Sequence, residues 1–137
     1  MRRLIVAAAL SGLVAGCATE PADAAAGAAQ PAAPGDSEAC DVTIVFGSYA
    51  MGIDGDTFAK VGAYLDGRRD IVGQAETTNW GREGERTICI DAKTDAAARR
   101  IYADLEAMAP ATANRGPITI RSRFGDSFQS KPPATMR

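Results

Sequence analysis

The segment "FGSYAMGIDGDTF", residues 46–58, has the outline of a phosphate-binding loop. It leaves an apolar run, carries Gly47, Gly52 and Gly55, and enters a helix-like pattern. Gly47 and Gly52 satisfy a G-x-x-x-x-G spacing. Such a loop then needs a lysine to meet phosphate and a Ser or Thr for magnesium. Ile53 and Asp54 stand there instead, and an aspartate repels an anion. The plainer reading is a reversal of the chain from strand to helix. "DGD" at 54–56 hints at calcium, but the further oxygen ligands and distal glutamate of a calcium loop do not follow. A helix cap accounts for it better. Histidine is absent from the 137 residues, which removes His-ligated zinc and the Ser-His-Asp and Cys-His mechanisms. No pair of carboxylates is set in an apolar pattern that would drive their pKa values apart. The sequence therefore predicts no enzyme, no cofactor and no metal site.

Three cysteines remain as chemically distinctive residues: Cys17, Cys40 and Cys89. The chain starts with Arg2 and Arg3, continues through an apolar run from Leu4 to Leu13, and reaches "LVAGC". That run is too short to span a bilayer stably. Over residues 1–17 the basic start, apolar run and small-small-Cys ending resemble the signal and lipobox of bacterial lipoprotein precursors. The resemblance implies that residues 1–16 are a signal peptide removed before Cys17, and that Cys17 is acylated. Acyl chains then anchor the protein to a membrane, each buried methylene contributing about 0.8 kcal/mol. Ala18 is not the aspartate that holds many lipoproteins of this kind in the inner membrane. The implied location is the outer membrane of a bacterial envelope, facing the periplasm.

With Cys17 acylated, Cys40 and Cys89 form an even pair in an oxidising compartment, and a disulfide is expected. Removal of Arg2 and Arg3 takes the net charge from −2 to −4, which leaves no electrostatic footprint for nucleic acid.

Residues 17–38 then read as a flexible Ala/Pro-rich linker. They contain no large apolar side chain to offset the entropy of ordering, and Pro21, Pro31 and Pro34 interrupt the alanine runs. The folded domain is expected over residues 39–125, with a flexible tail over 126–137. "DVTIVFG" alternates as a strand with Val42, Ile44 and Phe46 on one face. Asp54 caps a helix whose apolar stripe is Phe58, Val61 and Leu65. "RDIVGQAETTNW" and "RTICID" flank a glycine-bearing turn and form a hairpin. Thr94 caps a second helix with Ala98, Ile101, Leu105 and Met108 on one side, and "PITIRSRF" is the last strand.

The order β-α-β-β-α-β predicts an α+β fold of ferredoxin-like type. Its sheet has four antiparallel strands in the order 4-1-3-2, with two helices on one face. The first and third strands are then antiparallel neighbours, which brings Cys40 near Cys89. Strict alternation puts the two cysteines on opposite faces. A bridge therefore requires a bulge, or Cys40 just outside the strand.

Two surfaces stand out as candidates for binding. Trp80, the single tryptophan, lies beside the hairpin turn with Arg82 and Arg86. It is either an exposed contact point or a cap folded over the sheet edge, and the cap is favoured. The sheet face away from the helices is expected to carry Thr43, Val45, Gln74, Glu76, Thr78, Thr87, Asp91, Thr119, Arg121 and Arg123. Asp91 and Arg121 would form at most a weak surface ion pair.

"FGSY" together with this topology is similar to the SPOR-type peptidoglycan-binding module. The resemblance implies a glycan-binding role in the envelope. Acylphosphatases share the topology, but "GSYAMGIDGD" lacks the arginine that their phosphate chemistry needs. Protease propeptides share it as well. The expected function is a membrane-anchored envelope lipoprotein with a small non-enzymatic binding domain. The partner is an envelope protein or peptidoglycan, and a propeptide-like inhibitor or chaperone is the remaining alternative.

Overall fold

A computed structural model of the protein describes residues 40–134. Cys17, the signal peptide and the linker lie outside the described residues. The described chain is an α+β domain. Its elements are β1 (Val42–Phe46), α1 (Gly55–Gly67), β2 (Val72–Trp80), β3 (Glu85–Ala92), α2 (Asp95–Met108), β4 (Ile118–Ser122) and β5 (Ser127–Gln129). One antiparallel five-stranded sheet runs in the order β2-β3-β1-β4-β5.

The alternation of β1 decides the architecture. Val42, Ile44 and Phe46 are fully buried, and they meet Ile90 and Ile88 on β3 and Ile120 and Ile118 on β4. Val61 and Leu65 of α1 and Ala98, Ile101 and Leu105 of α2 join the same cluster, so both helices cover this one face. Full burial of each large aliphatic side chain contributes about 1.5–3 kcal/mol. Phe58 closes the end of the core edge-on to Phe46, with ring centroids 5.3 Å apart.

Each helix begins where its cap was expected. The Asp54 carboxylate accepts from Thr57 N at 3.1 Å and from the Thr57 hydroxyl at 3.0 Å. The Thr94 hydroxyl accepts from Ala97 N at 3.1 Å. Each cap satisfies an amide that the first turn leaves without a partner. The loop entering α1 is fixed differently. Gly47 N donates to Pro117 O at 2.8 Å, and a Cβ on Gly116 would stand 1.8 Å from Gly47 O. No side chain fits at position 116.

The expected order 4-1-3-2 is present, but the sheet has a fifth strand and the chain beyond Gly125 is not a loose tail as far as it is described. Gly125 turns the chain at φ 93°, and the Ser122 hydroxyl accepts from Asp126 N while donating to the Asp126 carboxylate. β5 then pairs with β4, placing Phe128 beside Ile120 on the core side. The Ser130 hydroxyl is buried and accepts from Ile118 N at 2.8 Å. Lys131 N donates to Ala111 O, and Ala113 N donates to Lys131 O. One half-buried aromatic and these five hydrogen bonds offset the ordering entropy of a polar segment.

Candidate functional site

Cys40 and Cys89 are joined by a disulfide, with Cα atoms 5.5 Å apart. The parity conflict is resolved because β1 begins at Val42, leaving Cys40 outside the strand beyond a bend at Asp41. Cys40 can therefore reach the sheet face opposite the core, where Cys89 stands between Ile88 and Ile90. Asp41 fixes the bend. Its carboxylate accepts from Ala92 N at 2.7 Å and pairs with Arg123 Nε at 3.2 Å, while its carbonyl accepts from Arg123 N.

The face opposite the helices is built by register. Glu76, Cys89, Thr43, Arg121 and Ser127 form one straight row across all five strands. Thr78, Thr87, Val45, Thr119 and Gln129 form the next. Glu76, Thr78, Asp91, Arg121 and Gln129 are exposed, whereas Thr87 is only 2% exposed and Thr43 8%. Trp80 explains part of that difference. It is half-buried, folded onto the sheet, and its indole N–H donates to the Thr87 hydroxyl at 3.0 Å. The side chain is thus a cap with one outer surface, not a freely projecting ring.

Arg121 is on the open face and Arg82 is in the exposed turn after β2. Arg86 takes the opposite parity, beside Phe46. Its guanidinium lies 5.1 Å from the Phe58 ring centroid and donates to Asn79 Oδ1 at 2.8 Å. Arg123 lies beyond β4 and not among the open-face groups. It pairs with Asp41 and Asp95 and, with Arg99, faces the Phe124 ring. Asp91 and Arg121 are on β3 and β4, with β1 between them.

Two features were missed in the sequence. A hollow of about 350 Å³ opens between the loop at Ser48 and Tyr49, Pro117, and the C-terminal residues Gln129 to Pro132. It exists only because β5 brings that segment back beside β4. On the helical side, the Tyr64 hydroxyl donates to Asp104 at 2.9 Å, and Arg68 and Arg100 also engage Asp104. Burial, then the bond to Asp104, pushes the Tyr64 hydroxyl up to about 12. Burial works to raise Asp104 as well, but hydrogen bonds from Arg100 and Tyr64 outweigh it and hold its carboxyl below the usual range. This cluster joins α1 to α2. Among the described residues, no group of three His, Cys, Asp or Glu side chains is placed to hold a metal ion. No known protein family, curated protein or solved structure matches the chain.

Proposed function

We propose that this protein is a membrane-anchored envelope lipoprotein whose small domain binds a partner and catalyses no reaction. The β-α-β-β-α-β core is a ferredoxin-like arrangement carrying one additional edge strand. The observation that carries the reading is the sheet face opposite the helices. It presents exposed polar groups on a five-stranded antiparallel sheet, with the outer surface of Trp80 at one corner. A flat face of this kind suits recognition by area, since nothing in it pairs a nucleophile with a base. The Cys40–Cys89 bridge supports export, because structural disulfides persist in oxidising compartments.

The lipid anchor is tested by palmitate labelling of cells expressing the wild type and Cys17→Ser. Label on the wild type alone is expected, and label on both or on neither contradicts the anchor. Binding is tested by placing a photo-crosslinking residue at Thr78 or Gln129 in intact envelopes. Adducts are expected at these positions. Sedimentation with purified peptidoglycan sacculi identifies a glycan as the partner. Its absence, with protein adducts present, leaves a protein partner.

A further inference from the structure

We infer that the hollow beside β4 is a separate binding site, which takes a small carboxylate carried on a flat apolar body. This goes beyond the open-face reading and does not rest on it. The hollow holds about 350 Å³, at the low end of small-molecule sites. Its walls come from three segments of the chain, and backbone hydrogen bonds pin each of them. Gly47 N donates to Pro117 O at 2.8 Å and Tyr49 N to Arg115 O at 2.9 Å, which fixes the loop after β1 against the entry to β4. Ser130 N donates to Ile118 O at 3.0 Å and Lys131 N to Ala111 O at 2.8 Å, which fixes the third wall. A preformed hollow spares a ligand the cost of ordering its site. The loop also keeps Ala50 at φ 73°, the one non-glycine residue with positive φ among the described residues. Ala50 N and Met51 N both donate to Ser48 Oγ, at 3.1 and 3.2 Å, and hold that conformation. Tyr49 is therefore set between two fixed points, at the cost of local strain.

The lining decides the ligand. It contains one cation, Lys131, and no carboxylate, so an anionic ligand finds a partner there and a cationic one does not. The Lys131 ammonium, the Tyr49 hydroxyl and the Gln129 amide have no hydrogen-bond or ion-pair partner among the described residues. All three can donate. One ammonium with neutral donors matches a single charge shared by two oxygens, whereas a phosphate dianion is left half compensated. The Tyr49 ring, Pro117 and Pro132 supply the apolar part of the lining, against which a flat body packs. Lys131 is exposed and Tyr49 half-buried, so water screens the ion pair and binding is weak, with an expected Kd of about 1–10 mM. A free aromatic acid and the carboxyl-terminal aromatic residue of a peptide both present this chemistry.

Amide NMR spectra of the full chain in a neutral detergent, titrated with benzoate, test the site. The amides of Tyr49, Gln129 and Lys131 are expected to shift together and to saturate. Benzamide has the same shape without the charge and is expected to bind at least about tenfold more weakly. Lys131→Met is expected to weaken benzoate by a similar factor, while Lys131→Arg keeps most of the affinity. Neither change removes the backbone bonds of Lys131, and unshifted amides elsewhere report an intact fold. N-acetylphenylalanine separates the two sources. Tighter binding than benzoate identifies a peptide carboxyl terminus, and weaker binding a free acid. Shifts that do not saturate by about 50 mM benzoate, equal binding of benzamide, or unchanged binding by Lys131→Met overturn the proposal. So does phosphate that displaces benzoate at equal concentration, which marks a simple anion site. Crosslinks from Thr78 on the open face are expected to be the same in Lys131→Met, so either reading can fail without the other.

Discussion

At the residue scale, two positions control the entry to α1. Asp54 is buried at 8% exposure, and both its carboxylate oxygens are engaged by Thr57. Asp54→Ala is expected to destabilise the domain by about 1–2 kcal/mol, read as a lower urea midpoint at unchanged slope. Asp54→Asn keeps one acceptor and recovers most of the loss. Gly116 is stricter, because its would-be Cβ collides with the carbonyl of Gly47. Gly116→Ala must separate the loop after β1 from the strand that holds it. A loss of at least about 2 kcal/mol is expected in the same assay, where a neutral substitution would refute the close approach. The cap at Asp54 was legible in the sequence, since its spacing to Thr57 and the apolar stripe is local. The role of Gly116 was not, because it depends on a neighbour more than sixty positions away in the chain.

At the element scale, the regular alternation of β1 and the caps of both helices specified the core and four of the strands. β5 escaped because a three-residue polar strand has almost no pattern of its own, and Phe128 acquires its meaning only beside Ile120. The hollow at Tyr49 escaped for the same reason. Ending the chain after Asp126 is expected to cost about 2–4 kcal/mol, from lost packing of Phe128 and the orphaned amide of Ile118. Equal stability of the shortened chain would show β5 to be an ornament. The helix pair makes a prediction in pH. The Tyr64 hydroxyl has its folded pKa raised, so its contribution is fully present below the unfolded value of about 10 and is lost as pH rises through about 12. Unfolding free energy is expected to fall across that window in the wild type and to fall less in Tyr64→Phe. Asp104 acts in the other direction, its contribution being lost as pH falls below the ordinary carboxylate range.

At the scale of the whole molecule, the disulfide ties Cys40, ahead of β1, to β3. Through Cys89 the bridge reaches β3, which is paired on both edges. The bridge closes a segment containing β1, α1 and β2, and replacing both cysteines by alanine is expected to cost about 2–4 kcal/mol by denaturant unfolding. The long outer edge of β2 is guarded by an irregularity at Val72–Gln74 and by the charge of Glu76 at its middle, which disfavours growth of the sheet by edge pairing. The most direct test is photo-crosslinking in intact envelopes from Gln129 on the open face and from Ala63 on the exposed side of α1. Adducts from Gln129 and none from Ala63 are the predicted result. Adducts from Ala63 with none from Gln129 would contradict the assignment of binding to the sheet.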